Sequence, residues 1–227
     1  MSPIIFKVQQ ASSLTEDTIL LCLSSSTPFL HQAGDYIMLG FVEDDLKPFS
    51  IASAPKEDGS IELHIRNRED TEFMQRLFTV TTGDELLVTG PNKQYQLDED
   101  ICQLEQDIIL IGGGTGFAPM KALLDELLNN LCTNNIDFYW GASHQADLYL
   151  REDMLKLAQL HGNLKYHEVL SSNDSNNSIT AKNVHEQVLI DHPDLTNKRV
   201  YLCGSWDMIT TAKTAFIKAG LAESKYN

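Results

Sequence analysis

The segment Ile108-Ile109-Leu110-Ile111 runs directly into Gly112-Gly113-Gly114-Thr115-Gly116-Phe117-Ala118-Pro119, and a helical pattern follows from Met120. An apolar strand, four glycines in five positions and then a helix leave little choice of local fold. The glycines let the backbone turn tightly and bring its N–H groups within contact distance of a pyrophosphate, whose charge suits the positive end of the following helix. The turn is therefore a candidate dinucleotide cradle. It departs from the usual fingerprint in that Phe117 stands where a third glycine is expected, and no lysine follows at P-loop spacing. A strand-to-helix connection that binds nothing is the competing reading.

The rest of the chain divides around this motif. Before it, short β-like runs (Ile4 to Val8, Thr18 to Leu23, Tyr36 to Phe41, Phe49 to Ala52, Ile61 to Ile65, Glu85 to Thr89) alternate with the turn signals Gly34-Asp35, Asp58-Gly59, Thr82-Gly83-Asp84 and Gly90-Pro91. That spacing predicts a small antiparallel barrel or sandwich, interrupted by a short helix over Thr71 to Phe78. After it, strands are expected at Ile108 to Ile111, Ile136 to Trp140, Leu164 to Val169 and Arg199 to Leu202. Helices are expected at Met120 to Leu131, Glu152 to Leu160, Val184 to Leu189 and Asp207 to Ala219. Strand–helix alternation predicts a parallel sheet covered by helices. The boundary falls in the polar segment between Tyr95 and Gln106, giving domains of residues 1–100 and 101–227; Ser171 to Ser178 reads as a polar surface loop.

Charge and cysteine usage narrow the function classes. A net charge of −15 over 227 residues repels nucleic acid and anionic membrane surfaces at long range, while a small anionic cofactor can still be held by local donors. The four cysteines, Cys22, Cys102, Cys132 and Cys203, have neither zinc nor iron–sulfur spacing, so no metal site and no iron–sulfur cluster are expected. The remaining histidines, among them His31, His144, His167 and His192, are scattered without ligand spacing. With no signal-peptide pattern and no long apolar run, the reading is a reduced, soluble, cytoplasmic chain.

One segment of the first half carries chemistry. Lys47-Pro48-Phe49-Ser50-Ile51-Ala52-Ser53 places a proline inside a strand, which predicts an edge where a ligand can approach the backbone. Lys47 supplies a cation for phosphate, Phe49 an aromatic surface and Ser50 a hydroxyl for a ring nitrogen or carbonyl.

The ordered series Ala33-Gly34-Asp35-Tyr36, Lys47-Pro48-Phe49-Ser50, His64-Ile65-Arg66, Gly90-Pro91, Gly112 to Pro119 and Cys203-Gly204-Ser205 resembles the ferredoxin-NADP reductase superfamily, and within it the NAD(P)H:flavin oxidoreductases. The resemblance spans nearly the whole chain. It implies a flavin-binding antiparallel β-barrel followed by a Rossmann-like parallel-sheet nicotinamide-nucleotide domain, with the flavin between them. By the same resemblance Lys47, Pro48, Phe49 and Ser50 line the flavin, with Ser50 as the catalytic residue near N5. His64, Ile65 and Arg66 add backbone and phosphate or ribityl contacts, Gly113, Gly114, Thr115 and Gly116 hold the nucleotide, and Cys203 and Gly204 close over the nicotinamide. The implied activity is hydride transfer from NADH or NADPH to FAD or FMN, bound or exchangeable, with reduced flavin passing to a monooxygenase or another acceptor. A reductase with tightly bound FAD serving a protein partner, and a non-catalytic dinucleotide-binding module, are the alternatives. Two substitutions matter: Lys47 stands where the family usually has arginine, and Ser143 where an arginine often meets a 2′-phosphate, which favours NADH. Many members also continue to an aromatic tail near the flavin; the end at Lys225-Tyr226-Asn227 is either short or lacks a further segment, and if the tail normally covers the ring the flavin is expected to be exchangeable.

Overall fold

The computed structural model describes residues 2–171 and 183–226, so all of the predicted polar loop except Ser171 lies outside the described residues. Two compact units divide the chain: Met1–Leu97 with Lys121–Glu126, and Asp98–Met120 with Leu127–Asn227.

In the first unit, runs of β-branched and aromatic residues alternating with polar ones form six strands: β1 (Ile4–Ser13), β2 (Thr18–Ser24), β3 (Tyr36–Gly40), β4 (Lys47–Ser50), β5 (Ile61–Arg66) and β6 (Glu85–Asn92). They form one antiparallel sheet in the order β4-β3-β6-β1-β2-β5. Their inward residues, including Phe6, Leu21, Leu23, Ile37, Leu39, Leu63 and Val88, make a continuous core. β1 runs past its expected end because a bulge between Val8 and Gln10 lets the polar stretch continue the ladder with β2. Pro48 lies in edge strand β4, where its missing donor breaks no ladder. β4 is shifted from the expected Phe49 to Ala52: its ladder with β3 begins at Lys47, while the Ile51 and Ala52 amides leave it to donate to Asp35 O (2.9 Å) and Glu62 O (2.7 Å). The second of these bonds reaches β5, the opposite edge, which gives the sheet its barrel-like closure. The short helix expected over Thr71 to Phe78 is α1 (Glu72–Leu77), with Thr71 as its cap rather than its first residue, its hydroxyl accepting from the Met74 N–H.

In the second unit, β7 (Asp107–Gly113), β8 (Ile136–Ala142), β9 (Leu164–Leu170) and β10 (Lys198–Cys203) form a parallel sheet in the order β10-β7-β8-β9. Ile108 to Ile111 are fully buried, the continuous apolar run that a strand covered on both faces requires. The helices are α2 (Phe117–Asn129), α3 (Arg151–Leu160), α4 (Val184–Asp191) and α5 (Trp206–Lys218). α2 starts earlier than expected because the Gly114–Gly116 turn is itself a 3-10 turn leading into it. The chain steps from β7 to β8 to β9 and then returns to the other side of β7. Connections therefore diverge at the carboxyl ends of β7 and β10, the place where open α/β sheets leave a ligand crevice.

Two of the four cysteines are brought side by side. Cys102 and Cys132, 30 residues apart, are joined as a disulfide, while Cys22 and Cys203 are free. The Asn134 amide donates to Leu104 O (2.6 Å) and Gln106 O (2.8 Å), tying together the two segments that carry the pair. Sequence spacing holds no trace of this juxtaposition.

Candidate functional site

The glycines at the β7–β10 divergence are required by space. A Cβ on Gly113 would lie 2.5 Å from the Met208 sulfur, one on Gly204 2.6 Å from the same sulfur, and one on Gly116 would strike the Cys203 carbonyl oxygen. Gly113, Gly116, Cys203 and Gly204 are thus brought together, and the turn after β7 packs directly on the turn after β10. Gly114 adopts φ +55, a left-handed conformation that glycine takes without a Cβ penalty. The Thr115 hydroxyl makes no hydrogen bond among the described residues, and the first turn of α2 carries no acidic side chain. A tight glycine turn packed on the Cys203-Gly204 turn, a Thr115 hydroxyl with no hydrogen bond among the described residues and a helix start free of carboxylates fit a dinucleotide.

Trp140 is a further part of this cradle. It is fully buried, pairs in register with Gly112 and donates Nε1–H to Gly114 O at 3.0 Å. Its ring stacks on Phe117, with centroids 3.7 Å apart and planes 17° apart. Phe117, the residue that breaks the usual glycine fingerprint, therefore supports the turn from below. Sequence reading placed Trp140 as the last residue of a strand, and its register against Gly112 is a tertiary feature with no local signal.

In the first unit the flavin candidates lie on the two edge strands. β4 presents Lys47 and Pro48 exposed and Phe49 and Ser50 half-buried. Lys47 has no carboxylate partner and the Ser50 hydroxyl no hydrogen bond among the described residues, so both remain available to a ligand. Phe49 lies nearly parallel to Phe73 at 6.5 Å. An edge backbone with a free cation, a free hydroxyl and an aromatic face fits a flavin nucleotide.

β5 offers less side-chain chemistry than expected. The His64 side chain is buried against Glu62 (Nε2 to Oε1, 2.9 Å), and burial pulls its pKa down despite that carboxylate. Ile65 is in the core, and the Arg66 Nε already donates to Asp17 at 2.6 Å. His64 and Ile65 are left with only their backbone for a ligand.

Beside β5 lies an ionic cluster that sequence reading missed. Lys121 Nζ donates to Asp125 Oδ2 (2.8 Å) and to Ala52 O (3.2 Å), and lies 3.5 Å from Glu62 Oε1. Burial opposes the Lys121 charge, but Asp125 and Glu62 outweigh it and raise its pKa. Burial would likewise raise Glu62, yet the His64 hydrogen bond and the Lys121 charge hold it down to about 2. Burial raises Asp125 against the pull of Lys121. Lys121 thereby pins the backbone two residues beyond Ser50. The signal was slight: one lysine in an otherwise apolar helix turn, Ala118 to Leu124.

Residues 5–97 match the oxidoreductase FAD-binding domain family and residues 110–214 the oxidoreductase NAD-binding domain family. The chain belongs to the oxidoreductases that join an FAD-binding domain to an NAD-binding domain. Among its relatives is the CDP-6-deoxy-L-threo-D-glycero-4-hexulose-3-dehydrase reductase of Yersinia pestis, 34% identical over 97% of this chain and 66% of that protein. The chain thus spans about two thirds of that relative's length. The NAD(P)H-flavin reductase of Aliivibrio fischeri is 29% identical over 94% of this chain and 92% of its own. A cytochrome P450 reductase from Amycolatopsis has the same fold, with a TM-score of 0.90 at 24% identity over 99% of this chain and 68% of that one.

Several side chains have other duties within this reductase fold. Arg151, the cation eight residues beyond Ser143, is engaged by Glu168 (3.1 Å) and Glu152 (2.8 Å). His167 and His192, expected to be scattered, both approach the buried Asp137, at 2.7 and 3.4 Å. No cluster of three or more potential metal ligands occurs among the described residues, and no helix there is long and apolar enough to cross a membrane.

Proposed function

We propose that this chain oxidises a reduced nicotinamide nucleotide and passes the electrons to flavin, with residues 1–100 carrying the flavin and residues 101–227 the nucleotide. The observation that carries the reading is the close packing of the two turns at the carboxyl ends of β7 and β10, where Gly113, Gly116, Cys203 and Gly204 meet beside Thr115, whose hydroxyl has no hydrogen bond among the described residues. Bound together, the two cofactors supply a hydride transfer that needs no strong acid or base from the protein.

The residues then have positioning roles. Backbone N–H groups at Gly114 to Gly116 and the Thr115 hydroxyl hold the pyrophosphate, and the Cys203-Gly204 turn borders the nicotinamide. Lys47 meets a flavin phosphate as a point charge, without the bidentate grip of an arginine. Ser50 donates near flavin N5 and fixes the ring for transfer, which depends on near-contact alignment. Lys121 keeps the backbone after Ser50 in place through Ala52 O.

NADH is the preferred nucleotide in this reading. Ser143 offers no cation to a 2′-phosphate, and Arg151 is neutralised by two carboxylates. FMN or FAD serves as an exchangeable second substrate, in keeping with the flavin-reductase relative that shares nearly its full length. A second reading, tightly bound FAD serving a protein acceptor, is favoured by the names of the dehydrase reductase and the P450 reductase.

The test is anaerobic oxidation of NADH and NADPH by the purified chain, with and without added FMN or FAD, after recording its visible spectrum. Oxidation that rises and saturates with added flavin supports the flavin-reductase reading. A yellow protein that bleaches with NADH, with no dependence on added flavin, selects the second. No oxidation and no bleaching overturns both.

A further inference from the structure

Trp206 is 80% exposed, an extreme for the largest apolar side chain, and it lies two residues beyond Gly204, in the turn that packs on the glycine turn after β7. It opens α5, whose Met208, Ile209, Ala212 and Phe216 pack into the core of the unit. The core therefore has no use for Trp206. Gly113 and Gly204 both back onto the Met208 sulfur, which lies within 2.6 Å of where either glycine's Cβ would be. Neither glycine has a side chain to hold a base. A dinucleotide seated there needs an aromatic face at the edge, and a tryptophan ring supplies the largest one available.

We propose that Trp206 is the stacking platform for a heteroaromatic base of the dinucleotide and so sets the affinity of this crevice for its nucleotide. The inference rests on the nucleotide-site reading above. Stacking is indifferent to the 2′-phosphate, so Trp206 strengthens NADH and NADPH alike, while the choice between them stays with the end of β8. Phenylalanine should retain most of the effect and alanine should lose it, because the contact depends on an aromatic face and not on the indole N–H.

The experiment is calorimetric titration of the full chain and of Trp206→Ala and Trp206→Phe with NADH, with reduced nicotinamide mononucleotide and AMP as separate probes. Base–aromatic stacking is worth about 1–3 kcal/mol, so Trp206→Ala should weaken NADH about 5- to 150-fold, with Trp206→Phe within about threefold of the native chain. The fragment that loses affinity in Trp206→Ala identifies the stacked base. Thermal stability and flavin binding should be unchanged, since the side chain is exposed. Equal NADH affinity in the native chain and Trp206→Ala overturns the stacking role and leaves the nucleotide site standing. Absence of NADH binding to the native chain overturns the site and this role with it.

Discussion

Ser50 sits on an edge strand and its hydroxyl makes no hydrogen bond among the described residues, so the side chain contributes little to the fold and is available to a ligand. Ser50→Ala should lower flavin reduction about 10- to 100-fold, the effect of losing one positioned hydrogen bond of about 1–3 kcal/mol, with the melting temperature retained. Steady-state assay beside a thermal melt checks this, and an unchanged rate removes Ser50 from the mechanism. Glu62 behaves in the opposite way, contributing to the fold through charge. Its folded pKa of about 2 lies below the ordinary 4.5, so between those values the unfolded chain binds the proton and the folded chain does not. Its contribution, about 3 kcal/mol at neutral pH, is complete above pH 4.5 and is lost as pH falls toward 2. Denaturant titrations at a series of acidic pH values should show native stability falling across that window and a shallower fall in Glu62→Gln; parallel curves would count against the cluster. At this scale the sequence was legible where one residue type has one physical meaning. Pro48 implied an edge, and a β4 edge is what the sheet has. The Lys121–Glu62–His64 cluster was not legible, because it joins residues almost sixty positions apart.

Among the elements, the strand and helix series followed from period and turn chemistry, and most expected boundaries fall within a few residues of those observed. Strand order did not follow. β10 lies beside β7 only because the last crossover returns past the first strand, a tertiary choice absent from any local pattern. That choice turns the Gly112 to Gly116 run from a flexible connection into a packed floor, since Gly116 meets Cys203 across it. Gly116→Ala should therefore force the two turns apart at a cost of about 2 kcal/mol, lowering the melting temperature by about 5 °C and NADH affinity at least tenfold. Gly162→Ala is the control, since a Cβ there has nothing within 4 Å and should leave both quantities unchanged. A thermal melt and an NADH titration of both variants decide it. If Gly116→Ala binds NADH as the native chain does, the tight approach of the two turns has no bearing on the nucleotide.

The net charge of −15 acts over the whole molecule. NADH and FMN are anions, and both must approach through a field of their own sign, whatever local donors they find on arrival. Added salt shortens the range of that field from about 30 Å at 0.01 M to about 8 Å at 0.15 M. Raising ionic strength across this range should therefore lower the apparent KM for NADH and for FMN, by about twofold to threefold, with kcat little changed. Riboflavin lacks the phosphate and is neutral, so its KM should stay constant in the same series. The contrast separates the long-range field from a general effect of salt on the protein, because only the charged substrates should respond. Lys47 works in the other direction for FMN: its attraction for the phosphate is also screened, so Lys47→Gln should raise the FMN KM and make its fall with salt steeper. Steady-state measurement of the three substrates at several salt concentrations reads out the balance. A KM for NADH that rises with salt would show that local cations dominate its capture and that the overall charge serves solubility alone.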